Sequence, residues 1–197
     1  MLVLAHGAGA GMRHRFMERL ALSLGEHGVA TLRYQFPYME QGGRRPDPPA
    51  VLEATVRAAV GLARAKAPDL PLLAGGKSLG GRMTSSAAAR RALEGVRGLV
   101  LVGFPLHPAR QPGTGRADHL GRIEVPMLFL QGTRDALADL DLVTGVVARL
   151  GPNATLHVVD GADHGFDVLK RSGRSDTDVL GELAGTTATW GDAIVGS

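Results

Sequence analysis

The chain has no cysteine among its 197 residues. Disulfides, thiolate metal sites and a cysteine nucleophile are therefore excluded, and any covalent chemistry must use another residue type. No run of about 18 or more apolar residues exists to span a bilayer as a helix. The opening Met1-Leu2-Val3-Leu4-Ala5 enters an apolar strand without the charged start of a signal peptide. A soluble cytoplasmic protein with no membrane partner is expected. A charge excess of one sign is lacking too: 22 basic residues face 19 acidic ones, and the basic ones are scattered singly or in pairs. That gives no nucleic-acid footprint. Lysine is rare, with 3 against 19 arginines, an imbalance that fits codon bias better than selection for phosphate contacts.

No internal repeat is visible, and the length suits a single domain over residues 1–197. Apolar runs of strand length occur at Leu2 to Ala5, Val29 to Phe36, Leu70 to Ala74, Leu99 to Phe104, Pro126 to Gln131 and Ala154 to Val159. Most are continuously apolar rather than alternating, as strands covered on both faces of a parallel sheet must be. Helix-period segments lie between them, such as Phe16, Leu20 and Leu24, or Leu52, Val56, Ala59, Val60 and Ala63. The expected fold is α/β: a mostly parallel six-stranded sheet with helices on both faces. Asp47 followed by Pro48 reads as a helix N-cap. The stretch Pro37 to Pro46 reads as a long loop, and His107 to Glu124 as a connection rather than a lid or cap domain. A last helix between Ser175 and Ile194 is poorly patterned, interrupted by Gly181 and Gly185.

The segment Leu72-Leu73-Ala74-Gly75-Gly76-Lys77-Ser78-Leu79-Gly80-Gly81-Arg82 carries the chemistry. Gly76-x-Ser78-x-Gly80 follows a strand and opens a helix. This is the context of a strained strand-to-helix turn that exposes a nucleophilic serine, with glycines where a Cβ would collide with neighbouring backbone. A phosphate loop does not fit, because the glycine it needs five residues before Gly76 is Pro71. A dinucleotide fingerprint at Gly7-Ala8-Gly9-Ala10-Gly11 fails at Met12, and the second strand ends in Arg33-Tyr34 with no acid. Neither a cofactor nor a metal is expected.

With Ser78 as nucleophile, His6-Gly7-Ala8-Gly9 fits a glycine-rich loop whose amide stabilises an oxyanion, so the expected donors are Ala8 and Leu79. The acid and histidine should follow in that order, each beyond the end of a later strand. Gln131-Gly132-Thr133-Arg134-Asp135 and Asp160-Gly161-Ala162-Asp163-His164 meet this, which selects Asp135 and His164. Asp139, Asp141, Asp160 and Asp163 are weaker competitors for the acid. Of the other histidines, His14, His27 and His119 read as surface residues and His157 as a packing residue. His6 reads as a support for the oxyanion loop, and His107 as a residue of the pocket rim. Met12, Phe36, Tyr38, Met83, Leu106 and Phe166 are candidate pocket walls, with core packing an equal alternative. Lys77 and Arg82 flank the nucleophile and could draw anionic substrates by local field, but Lys77 is expected to be solvent-exposed and Arg82 to make a structural hydrogen bond.

Taken with Phe36-Pro37-Tyr38-Met39, Arg45-Pro46-Asp47-Pro48-Pro49 and the oxyanion-loop, serine and Asp135 segments, the chain resembles the dienelactone-hydrolase-like α/β-hydrolases. That branch includes a testis-expressed protein and a subunit of the NSL histone acetyltransferase complex. The resemblance spans nearly the whole chain and implies an α/β-hydrolase fold. Ser78 stands where true dienelactone hydrolases have cysteine, which argues against dienelactone as substrate. The expected function is serine hydrolysis of small carboxylic esters or related acyl bonds, with a small-molecule ester as partner. A catalytically silent binding or scaffold module is the alternative, against which the intact serine, acid and histidine set speaks.

Overall fold

The computed structural model describes residues 1–196. Six strands, β1 (Leu2–Ala5), β2 (Thr31–Tyr34), β3 (Leu72–Lys77), β4 (Val96–Val102), β5 (Met127–Gly132) and β6 (Ala154–Val159), form one sheet in the order β2-β1-β3-β4-β5-β6. Every pairing is parallel, so the sheet is wholly rather than mostly parallel. Its helices are α1 (Arg15–Glu26), α2 (Pro37–Glu40), α3 (Pro49–Lys66), α4 (Leu79–Arg90), α5 (Leu140–Leu150) and α6 (Asp176–Val195).

The continuous apolarity of the strands is explained by two cores, one on each face. On one side Val3, Ala5, Ala74, Leu99, Leu101 and Phe129 pack with Leu52, Val56, Met83 and Val143 from α3, α4 and α5. On the other, Leu2, Leu4, Leu73, Val100, Leu128 and Leu130 meet Met17, Leu20 and Leu24 of α1 and Val179, Leu180 and Leu183 of α6. Each buried leucine or phenylalanine contributes roughly 1.5–3 kcal/mol relative to exposure. No helix among the described residues is long and apolar enough to cross a membrane.

Two local expectations are corrected, and the last helix forms where it was expected. The helix expected to start at Asp47-Pro48 begins at Pro49, with Pro48 as its cap residue. Asp47 turns back instead, its Oδ2 accepting the Tyr38 N–H at 2.8 Å. Within the stretch read as a loop, Pro37 opens the one-turn α2. The C-terminal segment is one helix of 20 residues despite its glycines, because Ser175 and Asp178 form a reciprocal capping box. Its buried residues Val179, Leu180, Leu183, Ala184 and Thr187 recur at helical spacing. The connection from β4 to β5 contains only two single-turn 3-10 helices, Gly115–Ala117 and Leu120–Arg122, so no separate cap domain interrupts the described residues.

Candidate active site

Strand β3 delivers Ser78 to the carboxyl edge of the sheet and α4 leaves from it at once. The turn is so sharp that Ser78 adopts φ 51° and ψ −113°, positive-φ backbone that a serine occupies only under constraint. The glycines make the turn possible. A Cβ on Gly76 would stand 2.5 Å from the Ala5 carbonyl oxygen, and one on Gly80 2.6 Å from the same atom. Leu79 is the first residue of α4, where a backbone N–H has no intrahelical acceptor and the helix dipole favours negative charge.

The loop after β1 is held by its own His6 and by the Tyr38 side chain from outside it. The Phe36 N–H donates to His6 Nε2 at 3.0 Å, so Nδ1 carries the proton and donates to Gly7 O at 2.7 Å. Burial holds His6 below its ordinary pKa, against an opposing contribution from the Gly7 carbonyl, which favours this neutral form. The Tyr38 hydroxyl donates to Ala8 O at 2.8 Å. Thus His6 takes the supporting place expected of it, and Tyr38 and Phe36 serve the loop's shape.

Asp135 and His164 lie on the loops after β5 and β6. His164 Nδ1 is 2.7 Å from Asp135 Oδ2 and Nε2 is 2.9 Å from Ser78 Oγ. Burial pushes the Asp135 carboxyl up, but the His164 hydrogen bond and charge, the Leu137 N–H and Lys77 together hold it below the usual carboxylate range. An ionised Asp135 can only accept. Nδ1–H must then be the donor, leaving the Nε2 lone pair to accept the Ser78 hydroxyl proton. Competing acids are occupied elsewhere: Asp139 caps α5, and Asp163 Oδ1 accepts the Gly165 and Asp167 N–H groups.

The remaining expected wall residues are placed as follows. Phe36, Met83 and Leu106 belong to the first core and Phe166 to the second, all buried. Met12 lines a surface cleft with Arg13, Glu18 and Thr31 to Arg33. His107 joins two loops: its Nε2 accepts the Asp139 N–H at 3.0 Å and its Nδ1 donates to Pro108 O at 2.8 Å. His14 caps α1 by accepting the Phe16 N–H. His119 is half-buried, 2.8 Å from Ser85 Oγ, and His157 pairs with Glu182 at 2.8 Å rather than packing.

Two expectations beside Ser78 are corrected. Lys77 is buried at 9 % exposure instead of exposed, because β3 is covered on both faces. Arg82 is half-buried, pushed below its ordinary pKa by burial and by Arg116, and its side chain makes no hydrogen bond or ion pair among the described residues. Gln131, whose Nε2 donates to Asp135 Oδ2 at 2.6 Å, was not singled out by sequence; its place four residues before the acid, in an otherwise apolar strand, was the available signal.

This geometry sits in a chain that belongs to the alpha/beta hydrolase domain family, which it matches over residues 1–192. Solved structures share the fold at low identity. A lidless a/b serine hydrolase from Xanthomonas campestris has a TM-score of 0.72 at 22% identity, covering 96% of this chain and 82% of its own. Est1E from Butyrivibrio proteoclasticus with ferulic acid bound gives 0.75 at 16%, covering 100% and 89%. The esterase domain of a Rhodothermus marinus protein gives 0.72 at 17%, covering 98% and 87%.

Proposed function

We propose that the protein is a serine hydrolase of small carboxylic esters or related acyl bonds, with Ser78 as nucleophile, His164 as base and acid, and Asp135 as the orienting carboxylate. The observation that carries this reading is the unbroken hydrogen-bonded line from Asp135 Oδ2 through His164 to Ser78 Oγ. Esterases and serine hydrolases among the structural neighbours are consistent with it.

In the reaction, Ser78 Oγ attacks the carbonyl carbon as its proton passes to His164 Nε2, and the imidazolium is stabilised by Asp135. The carbonyl oxygen becomes an oxyanion accepting from the Leu79 and Ala8 amides. Collapse breaks the ester bond, the departing alcohol takes the proton from Nε2, and an acyl-Ser78 remains. Water, losing a proton to the same Nε2, then attacks the acyl carbon; the bond from that carbon to Ser78 Oγ breaks, Oγ takes the proton back from Nε2, and the acid is released.

A fluorophosphonate probe tests the assignment. Covalent labelling of Ser78, located by mass spectrometry, is expected, and Ser78→Ala should abolish labelling and p-nitrophenyl acetate turnover while the far-UV circular dichroism is unchanged. A folded protein with no adduct at Ser78 would support the scaffold alternative.

A further inference from the structure

Lys77 immediately precedes the nucleophile, yet its side chain turns away from Ser78 into the face covered by α1 and α6. Its stem passes Gly7, where a Cβ would lie 3.8 Å from Lys77 Cγ. Its ammonium ends beside the stacked rings of Phe16 and Phe166, 5.8 Å from the first centroid and 5.2 Å from the second, and donates to the backbone carbonyl of His164. Space for it is made by Gly103 at φ +60°: a Cβ there would stand 2.9 Å from Nζ and 3.7 Å from Asp135 Oδ2.

A buried ammonium is costly unless paired. Burial pushes Lys77 down to about 8, with Asp135 and Asp163 opposing that fall. A leucine or methionine would fill this apolar site without the penalty. Meanwhile the His164 loop carries strain, since Phe166 sits at φ 67°, a conformation that costs non-glycine residues about 1–2 kcal/mol. Asp163 shapes the loop internally through Gly165 and Asp167, but those bonds do not tie it to the strand that carries Ser78. The Lys77 bond does.

We propose that Lys77 is a positioning residue: by clamping the His164 carbonyl to β3 it fixes the distance between the imidazole and Ser78. This rests on the catalytic roles proposed above. One strand thus supplies both the nucleophile and the anchor of its base, so the two move together. The charged groups facing its ammonium are Asp135 on the loop after β5 and Asp163 on the loop after β6.

Because the chain has no cysteine, Lys77→Cys introduces one thiol that can be alkylated in the unfolded chain and refolded. Bromoethylamine restores an ammonium at lysine length, and bromopropane gives the same length without charge. Wild type, Lys77→Met and the two alkylated forms are compared for fluorophosphonate labelling, p-nitrophenyl acetate kinetics and melting temperature. The uncharged forms should lose roughly 10²-fold in kcat, as expected for a reacting group displaced by about 1 Å, with KM little changed and a melting temperature no lower than wild type. The aminoethyl form should return to within about threefold of wild type. Equal kcat in Lys77→Met and wild type, or equal values in the two alkylated forms, overturns the proposal while Ser78 labelling keeps the triad. Absence of labelling in wild type overturns both.

Discussion

Gln131 Nε2 donates to Asp135 Oδ2 at 2.6 Å, the same oxygen that receives His164 Nδ1. Asp135 Oδ1 is occupied by the Leu137 N–H at 2.8 Å. The carboxylate is therefore fixed from two directions, by Gln131 and by the Leu137 N–H, as it orients the imidazole. Gln131→Glu would set a second carboxyl against it, and two such groups cannot both stay ionised at that distance. The variant should lose at least about tenfold in kcat/KM at neutral pH and melt lower than Gln131→Met, which removes only a hydrogen bond worth about 1.5–3 kcal/mol. Steady-state kinetics and thermal melts of the pair check this; a Met variant worse than Glu would mean that packing, not charge, is what Gln131 supplies.

Lys77 makes stability depend on pH in the alkaline range. Its folded value, about 8, lies below the ordinary 10.5. Between those values the unfolded chain holds a proton that the folded chain has released, so stability rises with pH across that window. Lys77→Met removes the contribution. Urea midpoints at pH 7.5 and 10 should show the wild type gaining on the variant at the higher pH, and parallel behaviour would contradict the burial of this cation.

The strands and the serine turn were legible because their physical causes are local. Continuous apolarity marks a doubly covered strand, and glycines flanking Ser78 are demanded by backbone contacts with Ala5. The approach of His164 to Asp135 was anticipated from chain order, since each was expected to follow a strand end. Lys77 was misread because a lysine's default is the surface; only the meeting of Gly103, Phe16, Phe166 and the His164 carbonyl gives it an interior. Likewise Asp47 beside a proline carried a helix-start signal, but Tyr38, nine residues earlier, claims its carboxylate. Such pairings are set by tertiary approach, which periodicity does not encode.

Substrate size should follow from the connection between β4 and β5. Its apolar residues Phe104, Leu106, Ala117, Leu120 and Ile123 are spent in the first core, leaving no apolar lid to shelter a long acyl chain. A series of p-nitrophenyl esters should give the highest kcat/KM at acetate to butyrate, with palmitate at least about tenfold lower, a difference of about 1.4 kcal/mol. A maximum at eight carbons or more would show that an apolar channel exists elsewhere.

The two carboxylates nearest the imidazole offer the sharpest test of the site. Asp135 sits behind the ring and is held below its ordinary range; Asp163 precedes His164 in sequence but uses Oδ1 to close its own loop. Asp135→Asn would keep the shape while presenting an amide that can stabilise the wrong imidazole tautomer, so turnover should fall by up to ~10⁴-fold. Asp163→Asn retains an acceptor oxygen and should keep most activity. The acid range gives an independent reading. A carboxyl whose folded pKa is depressed contributes stability that is present above its unfolded value of 3.8 and is lost as pH falls through the folded one. Wild type should therefore lose melting temperature more steeply than Asp135→Asn below pH 4. If Asp163→Asn were the inactive variant and Asp135→Asn retained turnover, the acid of the site would have to be assigned to the histidine loop itself.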